Sequence, residues 1–123
     1  MSPGSMDINP AVTIRNQNGH VLVRIDAPAV NQREAQAILM HVLPGIVAPG
    51  RGRCFVIDLS GVQVLASMGL GMCVEIRNRA SDAGYKPVVV GLNSHLADLF
   101  SLMRVDRLFT IAATRAQLEG LLT

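Results

Sequence analysis

The sequence is short of aromatics and of charge. It has no tryptophan, one tyrosine and three phenylalanines, and charged residues make up 16% of its 123 residues. Without stacking side chains a nucleic-acid surface would have to be purely basic. The net charge is only +2, and the basic residues run singly from Arg15 to Arg115 without forming a stripe. A nucleic-acid partner is therefore not expected. Lys86 is the sole lysine, which removes a P-loop and a Ser–Lys pair from consideration. Two cysteines, Cys54 and Cys73, are too few for a disulfide scaffold. Both lie in apolar patterns and read as buried free thiols of a cytoplasmic protein. No apolar run reaches the roughly 20 residues a membrane span needs, and no secretory leader is visible. Met1–Ser5 read as a cloning remnant, with Met6 the expected native start. The remainder, 6–123, fits one soluble domain with its own core.

What the sequence does have is hydrophobic residues, 50% of the total, arranged in two periods. Val12–Asn16 and Val21–Ile25 are β-branched runs joined by Asn18-Gly19, a hairpin signal because both residues tolerate positive φ. Asn31 with Glu34 forms a capping box ahead of Ala35, Ile38, Leu39 and Val42 at helical spacing, and Pro44-Gly45 stops the pattern. Cys54–Ile57, ending at Asp58, and Val88–Val90 are continuous apolar runs suited to buried parallel strands. Leu59 to Leu65 reads as a loop with an apolar inner side. A second helix starts near Ser67 and places Gly69, Met72, Cys73, Ile76, Ala80 and Ala83 on one face, with Glu75 and Arg79 spaced for an ion pair on the other. Gly84 ends it. Ser94 is the expected cap of a third helix with Leu96, Leu99, Phe100 and Met103 inward. Leu108–Ile111 reads as a last strand, and Arg115 to Leu122 as a fourth helix. The order β-β-α-β-α-β-α-β-α predicts an α/β fold, a mixed, mostly parallel sheet of four to five strands with about four packed helices.

Candidate chemistry concentrates between Asp58 and Glu75, where no residue is charged. Ser67 falls where a helix begins, and free N–H groups and the positive end of the dipole favour an anion there. Gly69 and Gly71 leave the first turns bare, and Leu70 and Val74 project near that end. Enzyme motifs fail position by position. A nucleophile elbow needs glycine at Leu65, a Ser–Lys pair needs lysine at Leu70, and Gly69-Leu70-Gly71 lacks the third glycine of a dinucleotide loop. That turn is the only support for a small nucleotide-binding or enzymatic domain. His20, His41 and His95 stand apart, without metal-ligand spacing, and read as surface or satisfied polar residues. No catalytic residue, metal or cofactor is expected. Plain structural roles stay open: Ser67 as an N-cap, Asp58 bonding loop amides, and the glycines as close-packing residues.

The run Val56 to Gly71 resembles the core of the STAS domain, the fold of bacterial anti-sigma factor antagonists. That family carries a strand ending in an acidic or amide residue plus Leu, a short loop, and Asp-Ser-(Ser/Thr)-Gly-Leu-Gly at a helix start. Here Asp58-Leu59 and Ala66-Ser67-Met68-Gly69-Leu70-Gly71 match at the same loop length. The strand Pro87 to Leu92, the Asn93-Ser94 helix start and Val105-Asp106-Arg107-Leu108-Phe109 extend the likeness over most of the chain. The resemblance implies a signalling protein of transcription regulation. It would bind an anti-sigma factor that is also a serine kinase, and Ser67 would be the phosphoacceptor. It implies partner contacts at Asp58, Ala66, Met68, Gly69, Leu70, Gly71 and Val74, and a monomer or weak homodimer. Ala66 replaces the family's acid and Met68 its second hydroxyl residue. Ala66 motivates the other reading, a STAS-like scaffold or lipid-transport-complex subunit without phospho-control.

Overall fold

A computed structural model of the chain describes residues 11–123; Met1–Ser5 lie outside them. The hairpin forms as expected. Strands β1 (Val12–Gln17) and β2 (His20–Ile25) pair antiparallel around Asn18 (φ 54°) and Gly19 (φ 87°). Helix α1 (Gln32–Val42) opens on the Asn31–Glu34 capping box and buries Ala35, Ile38 and Val42. Strand β4 (Cys54–Asp58) is buried at every position and includes Asp58. Helix α2 (Ser67–Asp82) follows, then β6 (Lys86–Val90), α3 (Ser94–Leu102), β7 (Thr110–Ala112) and α4 (Arg115–Leu121). The main sheet has the order β1-β2-β4-β6-β7, and all its pairings except β1–β2 are parallel. This is the mixed α/β architecture the element order predicts.

Pleat alternation splits the core in two. Val23, Ile25, Phe55, Ile57 and Val89 face one cluster, which takes in Ile38 of α1, Cys73 and Ile76 of α2, and Leu96 and Phe100 of α3. Leu22, Cys54, Val56, Val88 and Val90 face the other, which takes in Ala112 of the edge strand and, from the α4 end, Leu118 and Leu122. Among the described residues, three helices thus cover one face of the sheet and one short helix covers the other. Both cysteines are free and buried, and burial pushes the Cys73 thiol up to about 12.

Several boundaries differ from the sequence reading. Val64–Leu65 is not loop but a short strand, β5, pairing in parallel with β3 (Ala29–Val30) as a separate two-stranded sheet. Two residues carry too little periodicity to show in sequence. Leu59, Val62 and Leu65 do turn inward, as the apolar side of the loop requires. Strand β6 starts at Lys86 and accepts Pro87, because β7 pairs only from Val88 onward and the missing N–H is not needed there. The cap of α3 is Asn93, whose side chain accepts from the Leu96 N–H at 2.8 Å; Ser94 is the first helical residue. Met103 lies past the end of α3 and is 57% exposed rather than inward. Leu108 belongs to a 3-10 turn (Val105–Leu108), so the last strand begins two residues later than expected. Glu75 and Arg79 stand one turn apart without closing an ion pair, the described ion pairs being those of Arg24 and Arg115. His20 is buried, not superficial. Its Nδ1 accepts from the Cys54 N–H at 2.9 Å, and its Nε2 has no partner among the described residues.

Candidate functional site

The segment from Asp58 to Ser67 is pinned at both ends. Gly91 (φ 85°) lets β6 turn away directly against it, where a Cβ would lie 2.5 Å from the Ser60 nitrogen. The Leu59 N–H donates to Val90 O at 2.9 Å, and the Asn93 side-chain amide donates to Gln63 O at 3.2 Å. The Ala66 N–H donates to Val30 O at 3.0 Å, which fixes the entry to α2.

Ala66 is the N-cap of α2 and its side chain caps nothing, so Ser67 is the first helical residue and not the cap. The first-turn amides therefore keep the unsatisfied donors and the positive dipole end without a capping oxygen. Ser67 is exposed, and Met68 beside it is 47% exposed. Leu70 turns inward: it is only 7% exposed, not a projecting tip residue, because α2 packs on α1 and on β5. The two glycines divide. A Cβ on Gly69 would sit 2.9 Å from both Leu65 Cδ2 and Val30 O, so this position is glycine for close packing. A Cβ on Gly71 would meet nothing within 4 Å, although glycine in a helix interior costs roughly 1 kcal/mol against alanine.

Beside Ser67 runs a groove of about 830 Å3 between α2 and the α3 end of the fold. Leu65, Ala66, Ser67, Leu70, Gly71 and Val74 form one wall, Glu75 and Asn78 the far end, and Leu99, Met103 and Val105 the opposite wall. The opposite wall is absent from the sequence reading of the site. Val105 stands in the segment that carries the family likeness, but only the crossover from β6 through α3 to β7 brings it next to α2.

Asp58 does not join this groove. It shares its face with Val56 and so points to the α4 side of the sheet, where it is 7% exposed. Its Oδ1 accepts from the Ser60 N–H at 2.9 Å and from Ser60 Oγ at 2.5 Å, and its Oδ2 accepts from Arg115 Nη2 at 2.5 Å. Burial pushes the Asp58 carboxyl up, but the hydrogen bonds from Ser60 and Arg115 outweigh it and hold the group below the usual carboxylate range. Its loop-amide bond is the structural role the sequence left open. Among the described residues no group of three or more His, Cys, Asp and Glu side chains is placed to hold a metal, and no helix is long and apolar enough to cross a membrane.

Residues 11–118 match the family model of the STAS domain. No curated protein matches the sequence. Among solved structures, an anti-sigma-factor antagonist (STAS) domain protein from Planctomyces limnophilus superposes with a TM-score of 0.76 at 16% identity, covering 90% of this chain and 94% of that one. The RsbS protein of Moorella thermoacetica gives 0.72 at 23% identity, covering 89% and 93%. The anti-sigma factor antagonist SpoIIAA in its unphosphorylated form gives 0.68 at 11% identity, covering 89% and 95%.

Proposed function

Because the chain belongs to the STAS domain family, we propose that it is an anti-sigma factor antagonist. In this reading it is a cytoplasmic, non-enzymatic module that docks a serine-kinase anti-sigma factor through the start of α2 and the adjoining groove, switched by phosphorylation of Ser67. One observation carries the reading. Ser67 is an exposed hydroxyl on the first turn of an uncapped helix, at the mouth of an apolar groove. The fold likeness to SpoIIAA and RsbS supports it.

The physical logic of the switch follows from that placement. On transfer, the Ser67 oxygen bonds to the γ-phosphorus of ATP, ADP leaves, and the hydroxyl proton passes to a base of the kinase. The product adds about −1.5 to −2 charges and three acceptor oxygens at the helix start. The α2 dipole accommodates that charge. A partner surface seated over Met68, Val74 and Met103 would have to strip its water without supplying a counter-charge, which is costly. Before modification the same surface is uncharged and polarizable, suited to an apolar partner. Incubation with the kinase and ATP, followed by mass spectrometry, tests this. One phosphoryl group on Ser67 is the expected product, and an unmodified Ser67 together with no complex would sink the reading.

Ala66 favours a second reading. Without the family's acid beside the serine, the same surface would serve a STAS-like scaffold or lipid-transport-complex subunit that never receives phosphate. Ser67→Asp would then leave partner binding unchanged.

A further inference from the structure

The face of the sheet opposite the groove holds a recess that the reading above does not use. It has a volume of about 290 Å3 and is lined by Thr13, Arg15, Arg24 and Arg115 around Leu22, Val56 and Asp58. Register builds it. Thr13 pairs with Arg24 and Arg15 with Leu22 across β1–β2, while Leu22 pairs with Val56 and Arg24 with Asp58 across β2–β4. All six therefore stand on one face, in the strip that α4 leaves uncovered, and Arg115 reaches in from the first residue of α4.

We propose that this recess binds a small phosphate-bearing molecule. Two of the three guanidinium groups are already held in place by carboxylates. Arg24 Nε donates to Asp26 at 2.6 Å, and Arg115 Nη2 donates to Asp58. Neither contact uses the whole fork. A guanidinium has five donors, so Arg24 and Arg115 each keep N–H groups to spare. Arg15 meets no carboxylate among the described residues. Its full charge faces the same space, next to the Thr13 hydroxyl. Asp58 keeps its negative charge at the edge of the recess, but its Oδ2 lies against Arg115 Nη2 and 4.0 Å from Arg24 Nη1, and the three arginines outnumber the two carboxylates, Asp26 and Asp58. Paired, pre-oriented arginines are what bidentate recognition of a phosphate needs. At about 290 Å3 the recess lies at the lower edge of the small-ligand range, roughly 300 Å3 upward, which limits it to a phosphate with a short body lying toward Leu22 and excludes a dinucleotide.

The test is a titration of the full chain, 15N-labelled on its arginine side chains, with inorganic phosphate at fixed ionic strength, and with acetate in parallel. The proposal expects saturable shifts of the Arg15, Arg24 and Arg115 Nε–H signals with phosphate, and weaker binding of acetate. Arg15→Ala on the exposed edge strand should weaken phosphate binding about tenfold, while Arg33→Ala on α1 and Ser67→Asp leave it unchanged. Shifts that do not saturate, that reach Arg33 and Arg79 equally, or that survive Arg15→Ala overturn it. Because Ser67→Asp is a control here, the outcome is independent of whether Ser67 is a phosphoacceptor.

Discussion

The two ends of one short segment make opposite uses of their polar groups. At its start, Asp58 is buried and every oxygen has a donor: Ser60 twice and Arg115 once. At its end, Ser67 is exposed, the cap position carries a methyl group, and the neighbouring walls are apolar. The first arrangement ties β4 to the start of α4 and lowers the energy of the free protein. The second leaves donors and hydrophobic surface unspent, which contributes little to folding and is what an interface requires. The glycines repeat the contrast within α2, since Gly69 is closed in by Leu65 and Val30 and Gly71 faces open space.

Substitutions at the two ends test that contrast. The largest expected effect is at Ser67. Ser67→Asp should weaken binding of the kinase anti-sigma factor by more than about 100-fold, close to 3 kcal/mol. It should leave the free protein as stable as before or slightly more so, because an acid in the first helical turn favours the dipole. Calorimetry of the complex and urea denaturation of the free chain read the two halves separately. Gly69→Ala comes next. Val30 O is backbone and cannot give way, so overpacking should cost about 1–3 kcal/mol in urea denaturation. Asp58→Asn should cost about 1–2 kcal/mol at neutral pH by weakening its charge-assisted bonds to Arg115 and Ser60. The sign with pH follows from the lowered carboxyl. The stability Asp58 contributes is full above the unfolded value of about 3.9 and is lost as pH falls through the lower folded value. The difference between wild type and Asp58→Asn should therefore shrink in acid, as denaturation at a series of pH values would register. Gly71→Ala is the smallest effect. It should stabilise the free protein by roughly 0.5–1 kcal/mol, and a loss of partner affinity alongside that gain would locate the interface on α2.

Most of the fold was legible because its elements are long and periodic. The Asn18-Gly19 hairpin, the Asn31–Glu34 capping box and the buried runs at Cys54–Ile57 and Val88–Val90 each carry their own signal. The two-residue pairing of β3 with β5 carries none, since it is held by backbone contacts between segments over thirty residues apart in sequence. Of the site, the position of Ser67 at a helix start was legible. The face that Asp58 takes was not read from the segment, although the strict alternation of β4 with Val56 fixes it. Leu99, Met103 and Val105 became part of the groove only through the crossover that folds α3 back beside α2.

The central question is which of the two regions meets the partner. Backbone NMR of the labelled chain, titrated with an anti-sigma factor kinase from the source organism, reads both at once. The expected shifts gather on Ser67–Val74 and on Leu99, Met103 and Val105, with Asp58, Ser60 and Arg115 unmoved. Shifts centred on the Asp58–Arg115 corner, with the start of α2 silent, would contradict that placement.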